Sequence, residues 1–257
     1  MSKNNKQGQS LYISQNYLTS KKTIERLLKL TSINKYDHVI EIGAGKGHIT
    51  KSLVQKSCNV TAVEIDRKLF VTLKTSLGEH SNLKLCNTDF LKMRLPICEN
   101  YKVFSNIPFS ITTDIVRKLT GAHNPPVETW LVMEKGAAKR LLGKPSQNLT
   151  SLLLQPFFNL DIIYYFNKED FHPMPSVDVV LLYIKPKASP DLAFSERKEF
   201  NKFLYRSFKY GLSSLLTKKQ ISAALRYSNL PQIECSGTIL YVQWLCLFRY
   251  WQQFCNN

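Results

Sequence analysis

The chain has 257 residues, of which 44% are hydrophobic and 21% are charged, as in a globular protein. This composition excludes wholesale disorder, collagen and coiled coil, and the length suits one α/β domain with a small appendage or two small domains. The formal net charge of +16, densest towards both ends of the chain, favours a polyanionic partner, although solubility alone would also explain it.

The sequence shows no sign of export or of membrane insertion. The first ten residues are polar, which argues against a secretory signal, and no apolar run is long enough to span a membrane. The six cysteines are scattered without C-x-x-C spacing, which favours free thiols in a reducing cytoplasm over a zinc site or disulfides. We therefore expect a cytoplasmic protein without a metal site.

From residue 38 to residue 185, short β-branched runs alternate with runs of helical period, which predicts a doubly wound, mostly parallel sheet. The helices predicted between the strands are 47–56, 67–77 and 110–119. The predicted strands are 38–42, 59–64, 83–86, 102–105, 128–134, 162–166 and 179–184. We expect the last strands to be partly antiparallel.

A cluster of helix and strand breakers at 185–190 ends this pattern, and the sequence then changes character. Apolar residues from Phe200 to Phe208 and cations from Lys198 to Lys209 recur at helical spacing, which predicts a helix with a basic face. Further helices are predicted at 218–228 and 238–253. The expected domains are an α/β domain over 1–185 and a small all-helical domain over 186–257.

A glycine-rich turn after the first long strand is the strongest local motif. Gly43, Gly45 and Gly47 alternate, as is needed where the backbone takes positive φ or where a ligand touches the chain. Glu64 ends the next strand, where a carboxylate can accept both hydroxyls of a ribose. Dinucleotide sites space the third glycine differently, and Glu41 suits a cationic ligand tail. S-adenosylmethionine fits this pattern better than NAD does; a purely structural turn is the other alternative.

Two more motifs lie at predicted strand ends, where open α/β sheets bind their ligands. Asp89 can bind the adenine amino group of a cofactor, or it can be the N-cap of a short helix. In the tetrapeptide that begins at Asn106, the side-chain oxygen and the Ile107 carbonyl can hold the N–H bonds of an adenine amine, a poor nucleophile. Pro108 carries no competing N–H, and Phe109 offers a flat face to a base taken out of its helix. The same tetrapeptide is also a common turn.

Together the motifs resemble those of the rRNA adenine N6-dimethyltransferases, and among these most closely the erythromycin-resistance methylase (Erm) branch. They keep the order of that family between residues 9 and 185, and the helical tail matches in size and basicity. The matching segments are Gln15–Lys21, Glu41–His48, Glu64–Asp66, Asp89–Phe90, Asn106–Phe109 and Phe171–Val177.

The resemblance implies a Rossmann-like, S-adenosylmethionine-dependent methyltransferase domain and a C-terminal domain that binds rRNA. It implies one or two methyl transfers to one adenine of 23S rRNA, giving resistance to macrolides, lincosamides and streptogramin B. The partner would be nascent or protein-free 23S rRNA, and we expect a monomer that needs no membrane and no obligate protein partner.

The resemblance also assigns roles to individual residues. Asn106 and Ile107 would orient the target nitrogen, and Phe109 and Phe171 would sandwich the target base. The implied cofactor site consists of Asn16, Leu18, Gly43, Gly45, Glu64, Ile65, Asp89 and Asn106. The cations that we expect to contact phosphates are Lys3, Lys6, Arg117, Lys118, Lys135, Lys139, Arg140, Lys144, Lys198, Lys202, Arg206 and Lys209.

Some positions depart from the Erm pattern. Met174 and Ser176 stand where that branch often has lysine, so two phosphate contacts are missing or relocated, and Val179 stands where a small hydroxyl residue is common. Two other functions remain open. One is the housekeeping dimethylation of 16S rRNA, and the other is a non-catalytic RNA-binding role on the same fold, against which the intact Asn106 and Phe109 argue.

Overall fold

The computed structural model describes residues 16–233 and 238–255 of the chain, and these form two compact units. Of the described residues, the first unit comprises 16–138 together with Leu160–Pro186. The second comprises Lys139–Asn159 together with 187–233 and 238–255. The breaker cluster therefore marks one junction, next to the predicted one. The sequence predicted residues 139–159 in the first domain, whereas they pack with the second unit. The hydrophobic pattern of the sequence does not break at either end of this segment, so the sequence does not reveal that it leaves the first unit.

The predicted mostly parallel α/β fold is confirmed. In chain order the strands are β1 (Tyr17–Leu18), β2 (His38–Ile42), β3 (Asn59–Val63), β4 (Leu83–Cys86), β5 (Lys102–Asn106), β6 (Glu128–Glu134), β7 (Phe158–Tyr165), β8 (Phe171–His172) and β9 (Val179–Pro186). Within the described residues, seven of them form a sheet in the order β4-β3-β2-β5-β6-β9-β7. The ladders from β4 through β6 are parallel, and β9 runs antiparallel to β6. The short strands β1 and β8 form a separate antiparallel pair.

Several of the helices begin at residues whose side chains cap them. Ser20 accepts the N–H of Thr23 at 3.2 Å at the first helix, and Asp66 caps the third in the same way. The predicted helix at 110 starts with a 3₁₀ turn over Phe109–Ile111. The helices are α1 (Lys21–Lys29), α2 (His48–Lys56), α3 (Arg67–Leu77), α4 (Thr112–Gly121), α5 (Lys135–Leu141), α6 (Leu149–Leu154), α7 (Arg197–Tyr210), α8 (Lys218–Tyr227) and α9 (Tyr241–Phe254).

The central strands are buried, which explains their continuous apolar runs. Val39 of β2 and Val103 of β5 have no exposed surface, and Leu27 on the inner side of α1 is equally buried. Burying each such side chain stabilises the fold by about 1.5–3 kcal/mol. Val179, which lacked an explanation in the sequence, is 3% exposed and belongs to the same apolar core, where an aliphatic side chain fits.

The second unit has an aromatic core of its own between α7 and α9. The ring of Phe203 lies 5.7 Å from that of Phe248 and 5.4 Å from that of Trp251, measured between centroids. Phe200 packs edge-on against Phe248 at 5.0 Å. Large aromatic side chains bury much area per residue, which lets a small helical unit hold together.

Candidate active site

Four loops meet at the carboxyl edge of the sheet, because parallel strands end on the same side. The glycine loop follows β2, Glu64 follows β3, Asp89 comes shortly after β4, and Asn106 is the last residue of β5. Since β2 lies between β3 and β5, the glycine loop runs between Glu64 and Asn106. The structure thus gathers the residues that the sequence assigned to cofactor and target.

The glycine loop requires glycine for two separate reasons. Gly43, Gly45 and Gly47 have φ of +69°, +56° and +80°, a region that side chains rarely adopt, as predicted. A Cβ on Gly43 would lie 3.7 Å from Pro108 Cδ, and a Cβ on Gly45 would lie only 2.7 Å from Tyr17 Cε1. The loop is therefore packed between the tetrapeptide and the Tyr17 ring.

Glu64 ties the glycine loop to the end of β3. Its side chain is almost fully buried; Oε2 accepts the N–H of Gly45 at 2.7 Å and Oε1 accepts the N–H of Asp66 at 2.8 Å. Burial raises the pKa of Glu64, and these backbone hydrogen bonds oppose the rise. An ionised carboxylate offers about four acceptor positions, so Glu64 retains capacity for the two hydroxyls of a ribose.

Glu41 lies beneath the loop and faces the core. It is 2% exposed, and the Thr50 hydroxyl donates to its Oε2 at 2.6 Å. Burial raises the pKa of Glu41 to about 8, and the charge of Glu64 adds to the rise. The side chain is therefore largely protonated at neutral pH. This differs from the expectation that Glu41 offers a negative charge to a cationic ligand, because the strand turns the side chain inward.

Asp89 closes a turn in this structure; no helix follows it directly among the described residues, so the alternative of a helix N-cap is not met. Its Oδ1 accepts the N–H of Leu91 at 2.8 Å, and its carboxyl group is partly exposed at the same edge. The neighbouring Asn87 donates to the carbonyl of Glu64 at 2.8 Å and so links this loop to β3. Ile65 is 57% exposed and presents an apolar surface beside Glu64, on which a purine ring can pack.

The Asn106 amide has a defined orientation. Its Nδ2 donates to the main-chain carbonyl of Asn16 at 2.7 Å. Because a carbonyl only accepts, the amide nitrogen faces Asn16 and the side-chain oxygen faces away from it. The N–H of Ile107 donates to the Val132 carbonyl at 3.2 Å, which anchors the next residue to β6. The Asn106 amide and the main chain of Ile107 are therefore both held in place at the end of β5.

The β1–β8 pair places the N-terminal segment over the site. Leu18 pairs with Phe171, and both are 2% exposed, while Phe109 is partly exposed. The Phe171 ring packs against Phe166 with centroids 5.1 Å apart. A sandwich of a base between Phe109 and Phe171 needs an open face on both rings, so Phe171 must leave this packing to provide one. Leu18 likewise belongs to the core rather than to an open ligand surface.

Sequence reasoning missed the role of Tyr17, whose ring covers Gly45. The Lys46 ammonium lies 5.1 Å from the centroid of this ring. Burial raises the pKa of the Tyr17 hydroxyl, and the charges of Glu64 and Asp66 add to the rise. A spacing rule cannot find this contact, since the two residues come from separate elements.

The predicted phosphate contacts fall into different classes. Lys3 and Lys6 lie outside the described residues. The prediction for Lys118 is corrected. Its Nζ donates to the carbonyls of Leu91 and Met93 at 2.9 and 2.6 Å, so its ammonium group is held within the fold rather than presented to a phosphate. Lys135 pairs with Asp178 at 3.0 Å. The remaining predicted cations are exposed: Arg117, Lys139, Arg140, Lys144, Lys198, Lys202, Arg206 and Lys209.

Comparison with known proteins identifies the family. The sequence pattern of the family described as ribosomal RNA adenine dimethylase matches residues 5–236. The chain belongs to this family. It is 37% identical to an rRNA adenine N-6-methyltransferase from Staphylococcus aureus and 35% identical to one from Lysinibacillus sphaericus, each over 94% of this chain and 96% of the relative.

The family member ErmE, described as a 23S rRNA methyltransferase, has a solved structure with a TM-score of 0.78 and 25% identity, covering 93% of this chain and 100% of that one. A dimethyladenosine transferase from Plasmodium falciparum shares the fold, with a TM-score of 0.66 at 20% identity over 84% of this chain and 82% of that one. The present chain is accordingly an S-adenosylmethionine-dependent rRNA adenine N6-methyltransferase.

The residues at the sheet edge fit this cofactor. Glu64 offers carboxylate acceptors next to the glycine loop, and Ile65 offers an exposed apolar face. Within residues 16–233 and 238–255, no group of histidine, cysteine and acidic side chains could hold a metal ion. None of the helices described there has the length and apolarity needed to cross a membrane.

Proposed function

We propose that the chain transfers one or two methyl groups to N6 of one adenine in 23S rRNA, and that this confers resistance to macrolides, lincosamides and streptogramin B. The observation that carries the chemistry is the Asn106 amide, whose nitrogen is held by the Asn16 carbonyl. The choice of 23S rRNA rests on the likeness to ErmE over almost the whole chain. We place the reaction in the cytoplasm, where rRNA is made.

S-adenosylmethionine supplies an electrophilic methyl group on a positively charged sulfur. In our proposal Glu64 holds the ribose hydroxyls, Ile65 packs on the adenine ring of the cofactor, and Asp89 accepts a hydrogen bond from its amino group. Gly43 and Gly45 allow close approach of the ligand to the main chain. Asn16 and Leu18 support this site from the N-terminal segment, Leu18 from within the core.

The target amine needs orientation more than it needs a base. Its lone pair is delocalised into the ring, and two acceptors that hold its N–H bonds favour a pyramidal nitrogen. We assign these acceptors to the Asn106 side-chain oxygen and the Ile107 carbonyl, and we assign stacking of the extruded base to Phe109. Each transfer would form one N–C bond as the methyl–sulfur bond of the donor breaks; S-adenosylhomocysteine would leave as the neutral thioether, and the proton displaced from the nitrogen would go to water. Rate acceleration then comes from positioning and fixed dipoles.

Recognition of the RNA requires cations that are free to meet phosphates. We propose this role for Arg117 in the first unit and for Lys139, Arg140 and the basic face of α7 in the second, which acts as the rRNA-binding domain. Within the described residues, Arg117 has only a long ion pair of 3.5 Å with Asp114. Lys3 and Lys6 of the N-terminal arm are further candidates for the same role. Binding should weaken steeply with salt.

The assay for this proposal supplies purified chain with tritiated S-adenosylmethionine and either protein-free 23S rRNA or protein-free 16S rRNA. We expect dimethyladenine at one position of 23S rRNA and no label in 16S rRNA. Bacteria that express the chain should also grow at erythromycin concentrations that stop the parent strain. Label confined to 16S rRNA would assign the housekeeping reaction instead, and label in neither RNA would contradict the proposed activity.

A further inference from the structure

The outer face of α7 combines aromatic rings with cations. Tyr205 is 52% exposed and Phe208 is 46% exposed, although both side chains are largely apolar. Lys198, Lys202, Arg206 and Lys209 are exposed on the same helix. We call these six residues the α7 platform. Tyr205 and Phe208 are three residues apart on the helix and so form a continuous apolar patch among cations, and a patch of this kind marks a binding surface more often than a single exposed ring does.

Helical spacing places these groups next to each other. Residues three and four apart on a helix are surface neighbours. Tyr205 therefore has Lys202 on one side along the helix and Lys209 on the other, with Phe208 as a third neighbour. Proteins bind unpaired nucleotides with aromatic residues among lysines and arginines, because bases stack on the rings and phosphates need cations.

The platform is held rigidly from below. The opposite side of α7 is anchored by Phe200 and Phe203, neither of which has exposed surface. The Phe208 ring is itself stacked on Trp244, with centroids 5.6 Å apart and ring planes 22° from parallel. A preorganised ring loses little entropy when a base stacks on it, which favours binding.

The platform cations have no acidic partner in the described part of the chain, and the Lys209 ammonium lies 4.9 Å from the centroid of the neighbouring Tyr210 ring. Among the residues that the structure describes, none forms an ion pair with Lys198, Lys202 or Arg206. The acidic residues near the start of α7 are occupied elsewhere in the unit: Glu196 pairs with Arg249, and Glu199 accepts a hydrogen bond from Gln252 at 2.9 Å. The platform therefore presents a field of one sign to a partner.

We propose that the α7 platform binds unpaired nucleotides of the rRNA substrate, with Tyr205 and Phe208 stacking on bases and Lys202, Arg206 and Lys209 contacting phosphates. A base-paired helix hides the faces of its bases and would use only the cations, so the aromatic residues select single-stranded or looped RNA. The inference rests on the proposed function in one respect, since it takes the partner of the second unit to be the rRNA substrate.

The experiment measures binding of the full chain to a labelled oligoribonucleotide of about ten nucleotides, and to the same strand annealed to its complement. Tyr205→Leu should weaken binding of the unpaired strand roughly five- to 150-fold, the range found for loss of stacking on one base. Binding of the duplex should change less than about twofold, and the salt dependence should stay the same. Tyr205→Phe keeps the ring and should bind like the wild type.

Two control variants separate stacking from charge. Lys202→Gln should weaken binding of both RNAs. For the unpaired strand it should also reduce the magnitude of the slope of log affinity against log salt concentration by about 0.7. Tyr36→Leu removes a tyrosine that is 80% exposed just before β2, at the other end of the sheet from the candidate active site, and should change nothing.

An unchanged affinity of Tyr205→Leu for the unpaired strand would overturn the inference, and so would an equal loss for both RNAs. Tyr205→Leu should leave the affinity for S-adenosylmethionine unchanged in calorimetry. Failure of the labelling assay on 23S rRNA, with the selective loss still present, would remove the proposed target and leave the platform in place. Selective labelling of 23S rRNA without any effect of Tyr205→Leu on binding would support the proposed target and remove the proposed role of the α7 platform.

Discussion

Replacing Glu41 by Gln tests whether the acid beneath the glycine loop is protonated in the folded chain. Burial raises the pKa of Glu41 from 4.5 to about 8, although the Thr50 hydroxyl donates to it at 2.6 Å and favours the ionised form. Each pKa unit corresponds to about 1.4 kcal/mol, so up to about 5 kcal/mol of the free energy of unfolding depends on pH through this group. The folded chain holds the proton more tightly than the unfolded chain. The contribution of Glu41 to the free energy of unfolding is therefore fully present below pH 4.5 and is lost as the pH rises through about 8.

The assay is urea unfolding of the wild type and of Glu41→Gln at several pH values between about 5 and 9. Gln has no proton to lose, so the free energy of unfolding of the variant should increase relative to that of the wild type as the pH rises. The other titrating groups are common to both proteins and cancel in the difference. Glu25→Gln, at an exposed position on α1, serves as a control and should run parallel to the wild type. A difference between Glu41→Gln and the wild type that stays constant over this range would refute the reasoning.

Three further changes test the site. Asn106→Ala and Asn106→Asp should each lower turnover at least about 100-fold while calorimetry shows cofactor binding retained; normal turnover in either would remove the Asn106 amide from its role. Gly45→Ala should destabilise the fold by about 1–2 kcal/mol and weaken cofactor binding, because its φ is +56° and its Cβ would meet Tyr17 at 2.7 Å. Gly121→Ala, with nothing within 4 Å of its Cβ, is the matched control, and equal effects would refute the steric argument. Lys118→Gln should lower the melting temperature, since two carbonyls lose their donor, and should leave the salt dependence of RNA binding unchanged. The neighbouring Arg117→Gln should leave the melting temperature unchanged and reduce the salt dependence of RNA binding. A reduced salt dependence in Lys118→Gln would restore Lys118 as a phosphate contact.

The elements that the sequence predicted well are those that local rules determine. The strand β2 was predicted at 38–42 and the helix α3 at 67–77, and both bounds are observed. In β2 a run of apolar residues enters a turn of positive φ that requires glycine, and in α3 the Asp66 carboxylate caps the first N–H groups. Each of these signals lies within a few residues of the element it defines, which makes it readable without tertiary structure.

The features that sequence reasoning missed depend on contacts between distant segments. Lys118 looked like a surface cation, but the fold brings its ammonium onto the carbonyls of Leu91 and Met93. Glu41 looked like a charge for a ligand, but it is buried in the core, where the Thr50 hydroxyl of α2 donates to its carboxyl group. Neither fact leaves a trace in local spacing or composition, since the partner residues are chosen by the topology of the sheet.

The orientation of Asn106 shows why the N-terminal segment belongs to the chemistry. An amide rotated by half a turn would present its NH₂ group to an adenine amine, and two donors facing each other cannot form a hydrogen bond. The Asn16 carbonyl prevents this rotation because it accepts only from the amide nitrogen, at 2.7 Å. An aspartate at 106 would place an oxygen against that carbonyl and lose the restraint, although it still offers an acceptor. The pairing of Tyr17 with His172 and of Leu18 with Phe171 holds Asn16 in place. The acceptor pair at the end of β5 therefore depends on a strand pair contributed by two other parts of the chain.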